Sequence, residues 1–126
     1  MIFLDTHVAA WLYAGEVERL PHSVRSLLER TDLAISPIVA LELQYLFEIG
    51  RLSEPPEPVL TKLRRVLGLR VADGPLAEIV QVATQMTWTR DPFDRLIAAQ
   101  ARNDGVPLVT GDATIRRNYE LAVWAD

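Results

Sequence analysis

Short apolar runs alternate along the chain with amphipathic stretches, and this alternation predicts strands and helices in turn. The apolar runs predict five strands, at residues 1–5, 33–35, 69–72, 106–110 and 121–124. The amphipathic stretches predict helices at residues 6–14, 21–30, 37–49, 59–67, 76–86 and 92–103. Strands that alternate with helices indicate an α/β sandwich with a mostly parallel sheet, in which ligands bind beyond the carboxyl ends of the strands.

Local signals place several helix ends. Ser36 is a hydroxyl cap with Pro37 at the first helical position, and Gly50 and Gly105 are typical C-terminal stops. Residues 53–58 form the only linker-like segment, which is too short to divide domains. We therefore predict a single domain over residues 1–126.

Composition narrows the class of protein. At 126 residues, 49% apolar and 24% charged, the chain is long enough to bury its own core. It has no cysteine, which excludes disulfides, thiolate metal sites and a cysteine nucleophile. The longest apolar runs are too short to span a bilayer, and the N-terminus lacks the basic region of a signal peptide. We expect a cytoplasmic protein without a membrane segment.

Glu42 is the first acid in an unexpected place. In a helix over residues 37–49 it falls among Ile38, Tyr45, Leu46 and Ile49, opposite the side that we expect to face solvent. A carboxylate in an apolar stripe is costly unless it is paired, protonated or bound to a cation. The sequence leaves three interpretations open: a salt bridge to a buried arginine, a misplaced helix register, or a functional acid.

Two acids begin the helix that follows residue 90. Asp91 precedes a proline, which suits a helix cap, and its spacing to Arg95 suits an ion pair. Asp94 shares a stripe with small apolar residues that we expect to face the sheet, and it lies in the first turn, where the helix dipole favours an ionised carboxylate. First-turn capping explains Asp94 as well as a functional role does.

Asp5 and Asp112 follow predicted strands. Each either caps the next helix or lies at a binding site, since both are at carboxyl ends of strands. If Asp5, Glu42, Asp94 and Asp112 converge, two charges ~4 Å apart repel by about 4 kcal/mol at an effective dielectric of ~20. A hard dication, Mg²⁺ or Mn²⁺, would remove that cost.

The net charge of −4 does not exclude a polyanionic substrate. Setting those four acids aside from the seventeen leaves thirteen, which matches the thirteen basic residues. Twelve of these bases are arginine, which favours bidentate contact with phosphate or carboxylate.

With these acids at these positions, the sequence resembles the PIN-domain ribonucleases of the VapC toxin type. The motifs that carry the resemblance occur in family order: Leu4-Asp5-Thr6-His7; Ser36-Pro37-Ile38 with Glu42, then Gly50-Arg51-Leu52; Arg90-Asp91-Pro92-Phe93-Asp94-Arg95-Leu96-Ile97-Ala98-Ala99-Gln100-Ala101; and Leu108-Val109-Thr110-Gly111-Asp112. The resemblance spans nearly the whole chain. Two positions depart from the pattern: Thr89, where many relatives carry histidine, and Leu41, where a tryptophan often precedes the acid.

The resemblance implies a three-layer α/β/α PIN-like fold with a central, mostly parallel sheet of four or five strands. It also implies Mg²⁺- or Mn²⁺-dependent cleavage of RNA by a toxin that a cognate VapB-like antitoxin neutralises, and commonly a homodimer. The family's acids fall on Asp5, Glu42, Asp94 and Asp112, and the metal role of Asp91 is open.

For the mechanism we predict phosphodiester hydrolysis with one or two ions held mainly by Asp5 and Asp94, while Glu42 or Asp112 orients the water or carries its proton. Auxiliary residues have two interpretations each. Thr6 and Thr110 hold acids by hydrogen bonds or are ordinary caps, and Arg95 contacts phosphate or pairs with Asp91.

Arg116 and Arg117 form either a solvated helix face or an RNA rim. The three tryptophans are expected in the core or at an interface rather than as platforms for bases. The apolar faces of residues 8–12 and 37–52 are expected to contribute to a dimer or antitoxin surface.

Other α/β classes fit less well. A haloacid dehalogenase-type phosphatase needs a second Asp where this chain has His7, and a receiver domain needs a late lysine where the chain has only Lys62. A dinucleotide-binding module needs a Gly-x-Gly-x-x-Gly turn that is missing. The alternative that stays open is a catalytically degenerate PIN-fold binding scaffold.

Overall fold

The computed structural model describes residues 1–125. In this part of the chain there are five strands: Ile2–Leu4 (β1), Leu33–Ile35 (β2), Arg70–Val71 (β3), Leu108–Val109 (β4) and Ala122–Val123 (β5). Its seven α-helices are Thr6–Ala14 (α1), His22–Glu29 (α2), Pro37–Glu48 (α3), Pro56–Leu67 (α4), Leu76–Thr84 (α5), Pro92–Asp104 (α6) and Ala113–Asn118 (α7). A 3₁₀ turn, Val17–Arg19, connects α1 to α2.

The sheet explains where the site forms. Its strands are all parallel and lie in the order β3-β2-β1-β4-β5. The chain therefore moves outward from β1 to β2 and β3, then returns to the other side of β1 for β4 and β5. Since parallel crossovers are right-handed, this reversal puts α1–α4 on one face of the sheet and α5–α7 on the other. The predicted α/β/α fold with a parallel sheet is confirmed.

The core lies on both faces of the three central strands. Phe3 and Leu4 of β1, Ile35 of β2 and Val109 of β4 are fully buried, as expected for parallel strands covered by helices on both sides. On α6 the alanines at 98, 99 and 101 are also fully buried, which confirms that the stripe next to Asp94 faces inward.

Three local predictions need correction. Helix α4 begins at Pro56, inside the segment predicted as linker, because a proline at the first helical position loses no hydrogen bond. On α3 the buried residues are Val39 and Leu43, whereas Tyr45 and Ile49 of the predicted apolar stripe are about half exposed, at 48% and 50%. Val8 is fully buried, so α1 offers less apolar surface for a partner than the sequence indicated.

Within residues 1–125, each helix is too short or too polar to cross a membrane.

Candidate functional site

The topological switch point lies between β1 and β4, which run side by side with Leu4 opposite Val109. Asp5 and Thr110 are the next residues of each strand, so both leave the sheet at the same carboxyl edge. Asp112 follows two residues later. The strands that precede Asp5 and Asp112 are thus neighbours, and this edge is where parallel α/β sheets bind ligands.

Asp5 is only 2% exposed, and hydrogen bonds hold its carboxylate in place. Its Oδ1 accepts a hydrogen bond from the Thr6 backbone N–H at 2.9 Å, and its Oδ2 accepts one from the Thr110 hydroxyl at 2.6 Å. His7 Nδ1 lies 3.6 Å from the same Oδ2. Buried carboxylates need such partners, and these donors fix the direction in which Asp5 points.

The loop from β4 to α7 is tied to the same residues. The Thr110 oxygen that donates to Asp5 also accepts from the Asp112 backbone N–H at 3.0 Å. The Gly111 N–H donates to His7 Nε2 at 2.8 Å. Asp112 caps α7, with its Oδ1 accepting from the Ile115 N–H at 2.9 Å. Asp112 thus acts as the predicted cap and still faces the cleft beside Asp5.

Glu42 reaches the site from α3. The Thr6 hydroxyl donates to its Oε1 at 2.5 Å, so the two threonines each hold an acid, as one of the two interpretations predicted. Burial raises the pKa of Glu42 most, and the charges of Asp5 and Asp91 raise it further against the lowering effect of Thr6. Within residues 1–125 Glu42 makes no ion pair, which removes the salt-bridge interpretation.

Asp91 and Asp94 enter from the first turn of α6. Asp91 Oδ1 accepts from the backbone N–H groups of Phe93 and Asp94, at 2.9 and 3.3 Å, which confirms the predicted cap. One carboxylate oxygen each from Glu42, Asp91 and Asp94 lies within 4.8 Å of the other two. From the sequence, Asp91 is interpreted mainly as a helix cap. Its spacing of three residues from Asp94 was the signal that both acids share one side of the helix.

Arg95 is not a partner of Asp91. Its guanidinium donates instead to the Ala83 carbonyl, from Nε at 3.1 Å and from a terminal nitrogen at 2.9 Å, and to the Thr84 carbonyl at 3.4 Å. The ion pair predicted from the i,i+4 spacing is wrong, because the unsatisfied carbonyl oxygens at the end of α5 take the guanidinium.

Asp94 shows that all five carboxylates share one electrostatic environment. Burial raises its pKa most, and the charges of Asp91, Asp5, Asp112 and Glu42 add to bring it to about 7. In the described part of the chain no hydrogen bond is donated to its carboxylate, whereas the other four acids each accept at least one. Asp94 is therefore the acid whose charge the protein itself compensates least.

This donor set fits a hard divalent cation. It consists of carboxylate oxygens from four parts of the chain, and their mutual repulsion adds to the effect of burial in raising the pKa of Asp94 and of Glu42. Oxygen ligands of this kind suit Mg²⁺ and Mn²⁺. In the described residues the acids with ligand atoms within 4.8 Å of one another are Glu42, Asp91 and Asp94, from α3 and the start of α6; Asp5 and Asp112 lie outside this group, but near enough for their charges to raise the pKa of Asp94.

Comparison with known proteins agrees with this geometry. The PIN domain model matches residues 2–121, almost the whole chain. The chain therefore belongs to the PIN-domain family, as its motifs indicated.

Among curated proteins, the chain is 35% identical to Ribonuclease VapC22 of Mycobacterium tuberculosis over 129 aligned positions, which cover 98% of each protein. Among solved structures, it resembles a chain of VapBC2 from Rickettsia felis bound to a DNA fragment from its promoter, with a TM-score of 0.66, 22% identity and coverage of 99% and 98%. A toxin-antitoxin complex from Klebsiella pneumoniae gives a TM-score of 0.68, 16% identity and coverage of 98% and 96%. At these identities the solved structures confirm the fold, and the resemblance to the VapC type rests on the curated relative.

Proposed function

We propose that this chain is a metal-dependent endoribonuclease that hydrolyses RNA phosphodiester bonds and acts as the toxin of a toxin–antitoxin pair. The observation that carries the proposal is the convergence of five carboxylates at the switch point, with an Asp94 pKa of about 7. The 35% identity to a VapC ribonuclease supports RNA as the substrate. A degenerate binding scaffold would have no need to keep acids at this electrostatic cost.

The cation is Mg²⁺ or Mn²⁺ in this proposal. Glu42, Asp91 and Asp94 hold it, together with Asp5 and Asp112 where a second position is filled. Once bound, such an ion lowers the pKa of a water and withdraws charge from the scissile phosphate.

The chain's own residues supply position and proton transfer. Thr6 keeps Glu42 turned into the cleft, and Thr110 does the same for Asp5. Glu42, which faces the cleft, orients the attacking water or accepts its proton. Asp112 is the alternative for this step because it faces the same cleft from the β4–α7 loop.

Partners follow from the relatives and from exposed apolar surface. Two of the similar solved chains come from a VapBC complex and a toxin-antitoxin complex, and we propose a VapB-like antitoxin for this chain too. Leu41, Tyr45 and Ile49 of α3 are 58%, 48% and 50% exposed, and we propose that this face contributes to a homodimer or antitoxin contact. We also propose that residues 1–126 form a single domain and that the protein is cytoplasmic.

The direct test is cleavage of single-stranded RNA by the purified protein in Mn²⁺ or Mg²⁺, and again in EDTA. We expect cleavage only with metal, and no cleavage by Asp5→Ala or Asp94→Ala while circular dichroism shows a folded protein. The matched control is Asp32→Asn, an exposed acid just before β2 at the opposite edge of the sheet, which should cleave normally. RNA binding without turnover in the wild type would support the scaffold instead, and metal-dependent cleavage by both purified alanine variants would refute the assignment of these acids.

A further inference from the structure

A small cavity opens beside Asp112, on the side of the site formed by α1 and β5. It has a volume of about 270 Å³ and is lined by His7, Trp11, Gly111, Asp112 and Trp124. This volume is slightly below the range for drug-sized ligands, so the cavity suits a single flat group. Its wall includes one of the five carboxylates that we propose to act on RNA.

The rings in the cavity wall are held in place by one another. The His7 and Trp11 ring centroids are 5.0 Å apart with the rings edge to face, and the Trp11 and Trp124 centroids are 6.1 Å apart with a tilt of 49°. The Arg19 guanidinium lies over one face of the Trp11 ring, 5.3 Å from its centroid, so a ligand can stack only on the other face. Both tryptophans are half-buried, so part of each indole stays accessible.

Gly111 allows the Trp124 indole to lie directly against the loop that carries Asp112. A Cβ at Gly111 would be 3.0 Å from Cζ2 of that indole and 3.2 Å from Cε2. The spacing between the aromatic wall and the acid is therefore set by a backbone contact and not by a flexible side chain.

The cavity offers ring surfaces and few free hydrogen-bonding groups. His7 Nε2 accepts from the Gly111 N–H, and His7 Nδ1 faces Asp5. Asp112 uses one oxygen as the α7 cap. A flat aromatic ligand can stack here, but few groups in the walls are free to form hydrogen bonds with the edge of its ring.

We propose that this cavity binds one nucleobase of the RNA substrate by stacking on the indoles of Trp11 and Trp124, next to the phosphate that is cut. This inference rests on the proposed ribonuclease function. Single-stranded RNA is commonly recognised by bases that stack on aromatic side chains, and such stacking tolerates any base. A base is favoured over a side chain of a partner protein because the cavity wall includes Asp112, one of the acids that we propose to act on the RNA.

The test is an abasic scan with tryptophan variants. Wild-type protein is assayed in Mn²⁺ on a short RNA in which each nucleotide in turn lacks its base. We expect removal of the base at one position near the cut to lower kcat/KM by roughly 5- to 150-fold, which is the range expected for the loss of one stacking contact. Trp124→Leu and Trp11→Leu should show the same loss on intact RNA, with no further loss on the RNA that is abasic at that position. Trp124→Phe, which restores an aromatic face, should recover much of the rate.

Tyr13→Leu is the matched control, because Tyr13 is an aromatic residue of α1 whose hydroxyl is bonded to Glu54 on a different side of the helix. It should leave kcat/KM unchanged. If the leucine variants fail to fold, a penalty confined to one position of the wild-type scan still supports the proposal, and a flat scan overturns it.

Failure of this inference is distinct from failure of the proposed function. If the wild type cleaves no RNA, the ribonuclease proposal itself fails. If the wild type cleaves and the folded tryptophan variants keep full kcat/KM, the base-binding cavity is refuted alone. If those variants cleave normally but are inhibited less by the antitoxin, the cavity takes a side chain of the partner protein, which also overturns the proposal.

Discussion

Asp94→Asn should stabilise the metal-free protein at neutral and alkaline pH, although it removes a residue that we propose to be essential. The ionised Asp94 carboxylate is opposed by its burial and by the charges of four other acids, and in the described residues it accepts no hydrogen bond. Asparagine has nearly the same shape and no charge. The substitution therefore removes the repulsion and leaves the packing of α6 as it is.

The size of the effect follows from the pKa. Its rise from 3.8 to about 7 corresponds to an upper limit of about 4 kcal/mol, since each pKa unit is worth about 1.4 kcal/mol. Asp94 is only partly buried, so solvent screens part of this interaction. We expect Asp94→Asn to raise the free energy of unfolding by about 1–3 kcal/mol in EDTA at pH 8.

The dependence on pH has a definite sign. Below about pH 4 the carboxyl group is protonated in both the folded and the unfolded chain, so its charge costs nothing. Between about pH 4 and pH 7 the unfolded chain releases the proton while the folded chain keeps it, and the wild type loses stability as the pH rises. The advantage of Asp94→Asn should therefore grow across this interval and level off above it.

Urea denaturation of the two proteins at pH 4 and pH 8, first in EDTA and then in Mn²⁺, measures this difference. Mn²⁺ should stabilise the wild type more than Asp94→Asn, because only the wild type keeps the full set of acids. Asp32→Asn serves as control and should show neither effect. If Asp94→Asn is less stable than the wild type at pH 8 in EDTA, the carboxylate is stabilised by the fold, and the case for a cation at this position fails.

Three further changes test other parts of the site. Thr110→Val removes the hydroxyl that holds Asp5, and isothermal calorimetry should show Mn²⁺ affinity lowered by about 10–100-fold; unchanged affinity would mean that Asp5 is positioned without it. Gly111→Ala places a Cβ 3.0 Å from the Trp124 indole and should cost about 1–3 kcal/mol in urea denaturation, with a shift in tryptophan fluorescence; an unchanged spectrum would contradict the contact. Arg95→Met leaves the last carbonyl oxygens of α5 without their donor, so it should lower the free energy of unfolding by about 1–3 kcal/mol while the folded enzyme still cleaves RNA. Loss of cleavage without loss of stability would instead support a contact between Arg95 and phosphate.

The fold was predictable where the sequence carries local signals. Helix α1 and strand β2 have the predicted bounds, and Ser36 caps α3 as expected through the Ile38 N–H. The signals were weaker where a short element is stabilised by its neighbours. Helix α7 has only six residues and was implied by its cap alone, and the exposed β3 is two residues long where four were predicted. Periodicity also misplaced the buried face of α3, because that face is decided by which elements pack on it.

The candidate site was predictable as a set of acids and less so as a set of contacts. The position of Asp5 and of Asp112 at a carboxyl end followed from local pattern, because each comes just after a predicted strand. That the two strands are neighbours depends on strand order, which local pattern does not contain. The bond from Thr6 to Glu42 joins residues 36 apart in sequence, and the choice of Arg95 between Asp91 and α5 depends on where α5 ends. Neither spacing nor propensity contains that information.

The distribution of hydrogen-bond donors indicates where a first cation would bind. Asp5 receives a backbone N–H and a hydroxyl, and Asp112 receives a backbone N–H, so the protein already compensates the acids on the sheet side. On the helical side Asp91 receives two backbone N–H groups and Glu42 one hydroxyl, whereas Asp94 receives nothing from the described residues. Because a divalent ion gains most where negative charge is least compensated, we expect the first ion to bind beside Asp94, in the group that it forms with Glu42 and Asp91. Asp5, which the sequence placed at the centre of the metal site, is already held by two donors, so we expect it to contribute to the site from the sheet edge.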